Sequence, residues 1–438
     1  MMRERSLALC AYSLGLILAT PWVLLYLLYR SLRQPAYRLA WGERLGRYAP
    51  QTARRIDVWI HAVSVGETRA AQPLIEALLE RDPKPRILLS HMTPTGREAS
   101  EALFGSRVER IYLPYDFPGA VQRFLRHFQP MLGILMETEV WPNLVHACAS
   151  HDVPVVLVNG RLSQKSLLKA MRFGSVIRPA IAALDLVLAQ SADDAKRFIE
   201  LGARKVHITG NLKFDIEPPD AQRILGERFR LSIGARPTLL CASTREGEEA
   251  LILTALERAH SSPDTLIVVV PRHPQRFDEV AALFRSSGLA FQRRSDDQPV
   301  ARTTRIWLGD SMGEMFAFYA AVKIAYVGGG LLPFGTHNLI EACSVGCPVI
   351  VGPHTHNFAA VAKDAIAAGA ARQVANADEL IEVATQLLAR PDLLSEMAGQ
   401  ALAFAAQHRG ATRRTLDHLA LYLPAPGPVR FSVPEGRS

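Results

Sequence analysis

Glu67 is the first residue in this chain whose position suggests chemistry. The stretch VWIHAVSVGETRAAQPLIEALL, residues 58–79, opens as an apolar run and closes as an amphipathic helix, with Ser-Val-Gly-Glu-Thr at the junction. A carboxylate at such a strand-to-helix turn has two readings. It is a general base that takes the proton of an attacking hydroxyl, or it is a helix-start acid that complements the macrodipole.

A second constellation lies in the other half of the chain. YVGGGLLPFGTHNLIEACSVGCPVIVGP joins a strand to a helix through Gly328, Gly329 and Gly330, and glycines there let backbone N–H groups close on a phosphate. Asn338 and Glu341, just after His337, are three apart, so a helix would present them on one face. The carboxylate could then accept both ribose hydroxyls of a nucleotide. VVVPRHPQRF ends a strand with Arg272 and His273, and the planar fork of an arginine suits phosphate. LGDSMGEMFAFY sets Asp310 to Glu314 at another strand-to-helix turn. Taken singly, these loops fit a solvated cap as well as a ligand site. Their shared place after consecutive strands points to one nucleotide site.

The elements that must position these residues follow from length and pattern. A chain of 438 residues, 49% hydrophobic and 21% charged, exceeds the usual single-domain size and has material for two cores. From about residue 55, short β-branched runs alternate with amphipathic helices, the mark of a parallel sheet covered on both faces. The alternation pauses at DIEPPD, 215–220, and restarts with TLLCAS. The expected organisation is α/β: a membrane anchor over 1–30, a doubly wound Rossmann-like domain over 31–220, a second over 221–424, and a Pro/Gly-rich tail over 425–438. The two domains are expected to face a cleft, with ligands beyond the carboxyl ends of the strands.

The anchor reading rests on LALCAYSLGLILATPWVLLYLLY, residues 7–29, which is uncharged throughout and long enough to cross a bilayer core as a helix of about 20 residues. Pro21 is tolerated in such helices. A signal peptide is the competing reading, but no small-x-small cleavage site follows. Arg3 and Arg5 precede the run, and Arg30, Arg33, Arg38, Arg44 and Arg47 follow it, so the positive-inside rule puts the remainder in the cytoplasm. The net charge of +8 and pI near 9.4 suit an anionic ligand or lipid surface; no nucleic-acid motif accompanies them. Five cysteines without a Cys-x-x-Cys pair read as buried small hydrophobes in a reducing compartment. His61, His91 and the His354-x-His356 pair lack a carboxylate cluster at metal spacing, so no metal or other cofactor is expected.

These segments, taken together, resemble the 3-deoxy-D-manno-octulosonic acid (Kdo) transferases of lipopolysaccharide assembly, glycosyltransferases of the GT-B class. The resemblance runs from the apolar N-terminus through HAVSVGET, METEVWPN, VNGRLS, GNLKFD, GEE, PRHPQRF, GDSMGEM and HNLIEA, in that order. It implies an inverting transfer of Kdo from CMP-Kdo to the lipid A precursor lipid IVA, at the cytoplasmic side of the inner membrane. The family's base corresponds to Glu67. Its transition-state residues correspond to Glu137, the first Glu of Met-Glu-Thr-Glu, and to Lys213 of Asn-Leu-Lys. Donor contacts carry over to Pro271 and Arg272, to Met312, Gly313 and Glu314, and to Asn338, Leu339, Ile340 and Glu341, beside the turn at Gly329 and Gly330. Two stretches depart from the family pattern: STREGEE has Arg245 where many relatives carry His, and GGGLLPFGTHNLIEAC replaces the commoner GGS…GGHNPLEPA.

The implied reaction accounts for a carboxylate at residue 67. A sugar hydroxyl is a weak nucleophile until a base takes its proton, and CMP departs as a phosphate monoester that needs positive charge or N–H donors waiting for it. Arg272, Lys213 and the glycine turn are the leaving-group candidates, a cationic side chain standing where other enzymes hold magnesium. Two rivals fit the same fold: a GT-B enzyme acting on a UDP-sugar, transferase or epimerase, and a membrane-anchored binding protein without catalysis.

Overall fold

The computed structural model describes residues 6–49, 55–215, 218–259 and 264–423. Contacts between Cα atoms divide the chain into two compact units, one of residues 1–215 with 410–438 and one of residues 216–409. Arg3, Arg5, Arg54, Ile216 and Glu217 of the DIEPPD boundary, and the expected tail over 425–438, lie outside the described residues.

The first unit is built on seven parallel strands, β1 Val58–His61, β2 Ile87–His91, β3 Glu109–Tyr112, β4 Leu132–Met136, β5 Val155–Gly160, β6 Leu186–Ala189 and β7 Val206–Ile208. Their order is β3-β2-β1-β4-β5-β6-β7. Successive residues of β1 point to opposite faces, as strand pleating demands. Trp59 enters a core with Leu88, Phe124 and Phe128, whereas Val58 and Ile60 enter another with Leu74 and Ile75. Covering both faces is what makes these strands read as unbroken apolar runs.

The second unit repeats the plan with β8 Thr238–Thr244, β9 Leu266–Pro271, β10 Phe291–Arg293, β11 Ile306–Leu308, β12 Ile324–Val327, β13 Val349–Val351 and β14 Ala371–Gln373. These are ordered β10-β11-β9-β8-β12-β13-β14. In each sheet the winding direction reverses once, between β1 and β4 and between β8 and β12, which leaves a crevice at the carboxyl ends of those strands. The α/β class with two doubly wound Rossmann-like units is therefore what the chain adopts.

Three details differ from the sequence reading. The helix expected over SLLKAMRFGSVIRPAIAAL is two, Gln164–Arg172 and Gly174–Ala182, broken at Phe173. Cys10 is exposed, while Cys148, Cys241, Cys343 and Cys347 are buried thiols. The segment expected as one domain to residue 424 is split at Gly410, beyond which the chain packs with the first unit. Ala411 and Leu419 of the last helix and Leu423 beyond it join the core of Leu74 and Ile75. Periodicity shows that a helix has an apolar face; it does not say which core receives it.

Asp215 anchors that return. Its carboxylate accepts the Gly410 N–H at 2.5 Å and also the Thr412 N–H. A hydrogen bond to a charged group is worth about 1.5–3 kcal/mol. Asp215→Ala is expected to destabilise the protein by an amount of that order and to speed amide exchange selectively over residues 411–419, read by hydrogen-exchange mass spectrometry.

Candidate functional site

The candidate residues of the first unit gather at the carboxyl ends of its central strands. Ser64, extended, precedes the helix Val65–Leu79, and Glu67 lies in that helix's first turn. One carboxylate oxygen, Oε2, accepts the Val63 N–H at 2.7 Å, and Oε1 lies 3.4 Å from Ser64 Oγ. Val63 is held in turn because its carbonyl accepts the Met92 and Thr93 N–H groups, both at 3.2 Å. Gly96 allows this close approach, since a Cβ there would stand 3.2 Å from the Val63 oxygen.

Burial governs the charge of Glu67. It pushes the carboxyl up to about 7, the Val63 N–H partly opposing and the nearby charges of Glu139 and Glu137 adding to the rise. Glu139 is likewise raised, chiefly by burial, and accepts the Trp141 indole N–H at 3.0 Å. Glu137, at the end of β4, has φ +56°, a left-handed conformation that non-glycine residues rarely adopt. Its Oε1 accepts from Lys213 Nζ at 2.7 Å. Lys213 sits in a short 3-10 turn, Leu212–Phe214, whose first amide donates to Asn159 Oδ1 at 3.0 Å. Glu67, Glu137, Glu139 and Lys213 are thus brought to one end of one sheet, three carboxylates with a single ammonium paired to the middle one.

His61 and His91 play another part. Burial, the leading cause, holds them neutral, down to about 3 and about 4 respectively. Each bonds across β1 and β2, His61 to Ser90 Oγ at 2.9 Å and His91 to the Ala62 carbonyl at 2.8 Å. Among the described residues no group of three His, Cys, Asp or Glu side chains is arranged to hold a metal ion.

In the second unit the candidates again lie beyond strand ends. Pro271 closes β9 and is buried; Arg272 follows it, exposed. The Arg272 guanidinium and that of Arg245, which follows β8, make no ion pair among the described residues. Arg245 lies over the Phe334 ring at 4.6 Å and meets His273 Nε2 at 2.9 Å. Burial, then the charges of Arg245, Arg272 and Arg276, hold His273 below its ordinary value, so its ring nitrogen accepts from the arginine. His337 is held neutral, at about 4, chiefly by burial, with the charges of Arg272 and Arg245 adding to it. Two cations and two neutral imidazoles at adjoining strand ends form a local field suited to an anion.

Met312, Gly313 and Glu314 follow β11. Met312 is 65% exposed, Gly313 has φ +79°, and Glu314 is held by Arg294 at 3.2 Å and by Ser311 Oγ at 2.5 Å. Asn338 precedes the short helix Ile340–Ser344, with Leu339 as its cap, so the two polar residues do not share a helical face as expected. They meet nonetheless, Asn338 Nδ2 lying 3.4 Å from Glu341 Oε1. Leu339 and Ile340 are buried and set the helix on its sheet.

The glycine turn requires a correction. Gly329 N–H donates to Glu248 Oε2 at 2.7 Å and Leu331 N–H to Oε1 at 3.0 Å, so the Gly329 amide is not offered to a phosphate. The glycines serve close packing instead: a Cβ on Gly330 would stand 3.0 Å from the Gly352 nitrogen. Glu248, fully buried, also accepts the Tyr326 hydroxyl at 2.6 Å and the Arg245 N–H at 2.8 Å. It thereby ties the loop after β8 to the loop after β12. Its neighbour Glu249 accepts both Arg276 guanidinium nitrogens, at 2.8 and 2.9 Å. Neither acid was assigned a role from the sequence, although both stand in GEE, and Asn159 stands equally unassigned in VNGRLS. A motif that positions its neighbours looks, in sequence, like one that touches ligand.

Comparison with known proteins is informative at this point. A family model described as 3-Deoxy-D-manno-octulosonic-acid transferase (kdotransferase) matches residues 39–216. The 3-deoxy-D-manno-octulosonic acid transferase of Bordetella pertussis is 46% identical over 426 residues, 94% of this chain and 99% of its own. That of Haemophilus influenzae is 36% identical over 94% of this chain and 98% of its own. Among solved structures, UDP-GlcNAc 2-epimerase from Neisseria meningitidis, bound to UDP-GlcNAc, superposes with a TM-score of 0.58 and 17% identity, covering 84% of this chain and all of its own. At that identity the likeness is one of fold.

The raised acid at residue 67 has a consequence for stability. Because its carboxyl lies higher folded than the ordinary value of about 4.5, folding favours the protonated form. Stability from this group is full below the unfolded value and lost as pH rises through about 7. Glu67→Gln, a permanently neutral mimic, should therefore melt higher than the parent at pH 8. The difference should shrink as pH falls from about 7 and close near 4.5, which a series of melting curves checks.

Proposed function

Because the chain belongs to the 3-deoxy-D-manno-octulosonic acid transferase family, we propose that it moves Kdo from CMP-Kdo to a hydroxyl of lipid IVA, with inversion at the anomeric carbon. Glycosyl transfer of Kdo is the family's activity; donor form, acceptor and stereochemistry are the proposal. The observation that carries it is Glu67, a half-buried carboxylate raised to about 7 in the helix turn that follows a central strand. A base works best when its pKa lies close to the working pH.

The chemistry divides between the units. Glu67 takes the proton as the acceptor oxygen bonds to the anomeric carbon, and the bond from that carbon to the CMP phosphate breaks with its electron pair leaving on phosphate. Lys213, paired to Glu137, supports the charge that develops at the sugar carboxylate or the departing phosphate. Arg272 and Arg245 supply cationic side chains for the phosphate, and Asn338 and Glu341 contact the ribose. Pro271, Met312, Gly313 and Glu314 frame the base, with Leu339, Ile340, Gly329 and Gly330 shaping the backbone around it. No metal enters the scheme. The site of action in this proposal is the cytoplasmic side of the inner membrane, to which the apolar N-terminal helix attaches the protein.

The direct test incubates the full chain with CMP-Kdo and lipid IVA and counts added sugars by mass spectrometry. Absence of any product overturns the proposal, and tighter binding of UDP than of CMP turns it toward a UDP-sugar enzyme. Arg272→Ala and Glu341→Ala should each weaken CMP binding at least about tenfold, since a hydrogen bond to a charged group is worth about 1.5–3 kcal/mol. Calorimetry measures this, and unchanged affinity in both variants places the nucleotide elsewhere.

Turnover by the parent should rise with pH through an inflection near 7, where Glu67 loses its proton. Glu67→Gln should lower turnover by about 10²–10⁴-fold and abolish that inflection, with CMP-Kdo affinity little changed. A Gln variant with parental turnover removes Glu67 from the role of base.

A further inference from the structure

The N-terminal helix, α1 Leu7–Arg33, is long and apolar enough to cross a bilayer, yet its contacts with the first unit run along its length. A stripe of buried and half-buried positions, Leu9, Ser13, Leu16, Thr20, Leu27 and Ser31, recurs at helical spacing from end to end. Near its start, Tyr12 donates to Asp116 Oδ2 at 3.1 Å and Ser13 to Asn143 Oδ1 at 3.0 Å. That same Asp116 oxygen accepts the Asn143 N–H at 3.0 Å, and the other accepts the Leu144 N–H at 2.8 Å. Near its end, Trp22, Tyr26 and Leu27 line a groove of about 410 Å³ with Arg44, Met92 and Tyr115 of the body. The opposite side of the helix is apolar and exposed, with Leu14, Leu18, Leu25 and Leu32 at 57 to 72%.

These contacts conflict with a spanning seat. Tyr12 lies about 30 Å along the helix axis from Arg33, at 1.5 Å per residue, which is about the thickness of the hydrocarbon core. A body joined to the Arg33 end and held on that side of the membrane could reach Tyr12 only by carrying Asp116 and Asn143 through the hydrocarbon. A carboxylate there is heavily penalised. Trp22 would also stand near the middle of the span, whereas tryptophan gathers at membrane interfaces.

We infer that α1 is an in-plane anchor: it stays docked on the first unit through Tyr12, Ser13 and its buried stripe, and immerses its Leu14, Leu18 and Leu25 side in one leaflet of the membrane. The partner is a lipid surface. The inference rests on the reading of α1 as the membrane anchor and replaces its crossing with a seat parallel to the surface. An amphipathic helix so placed sinks about 5–10 Å into the headgroup and acyl boundary. The body then lies against that leaflet along the whole of α1 instead of being tethered by one end.

The test uses the full chain on vesicles of phosphatidylethanolamine and phosphatidylglycerol. Cys10 is the exposed thiol and the other four are buried, so with C10S a single introduced cysteine takes a nitroxide label selectively. Labels at L14C, L18C and L25C, which share one side of the helix and are exposed, give a series whose depths are read from collisions with oxygen and a nickel chelate. In-plane seating gives three equal, shallow depths; a maximum at residue 18 with shallower flanks overturns the inference. Independently, Ser6 and Ser175 border one shallow pocket beneath the start of the helix and both are exposed. A short bismaleimide should join S6C to S175C, with C10S, in the vesicle-bound protein. Cross-linking that succeeds in detergent and fails on vesicles overturns docking. Failure to bind vesicles at all overturns both the inference and the anchor reading, while the transfer assay with CMP-Kdo stands apart from either result.

Discussion

A parallel sheet ends, at each carboxyl edge, in loops whose backbone N–H groups no ladder satisfies, and a buried amide without a partner is costly. This chain meets that constraint with carboxylates. Glu248 takes three amides and a tyrosine hydroxyl, Asp116 takes two amides at the start of the Pro142–Ser150 helix, and Asp194 takes the Leu162 amide at 2.8 Å. Each acid fixes a loop that follows a strand, so the candidate positions at the strand ends are held by residues set behind them. The conformations of Gly329 and Arg245 both depend on one buried side chain, and so does the spacing between them.

Glu67 belongs to this set and departs from it. It accepts one amide, from Val63, where Glu248 accepts three. The Val63 amide and the Ser64 hydroxyl only partly oppose the rise at Glu67; burial dominates its proton affinity, with Glu139 and Glu137 adding to it. The same architecture thus places one acid where donors converge on it and another where burial raises its proton affinity. Lys213 pairs with Glu137, and among the described residues no ion pair holds the raised carboxyl of Glu67.

The fold was largely legible because both sheets are covered on two faces: strands such as LIVVVP are wholly buried and stand out as apolar runs between amphipathic helices. The candidate residues were legible as a set because strand-end loops are where such sheets place ligands. Three things were not. Gly328 to Gly330 looked like a phosphate cradle because sequence shows which residues are permissive and not where their amides point. Glu248 was hidden because a buried positioning acid and an exposed helix-start acid are written alike. The return of residues 410–423 to the first unit escaped because amphipathic periodicity carries no address.

The N-terminal helix shows how averaging conceals direction. Its hydropathy satisfies a test for a membrane span, but that test sums over all sides of the helix. Taken side by side, Ser13, Thr20 and Ser31 fall with Leu9, Leu16 and Leu27 on the stripe that meets the body, while Leu14, Leu18, Leu25 and Leu32 fall on the exposed one. Ser13 hydrogen-bonds Asn143 and Tyr12 reaches Asp116, while Thr20 and Ser31 bond back to carbonyls of their own helix; small side chains on that stripe let the helix lie close to the body, as they do where helices pack in membranes. A uniformly lipid-facing span gains nothing from such a stripe, and a helix that must serve a protein surface and a lipid leaflet at once requires it.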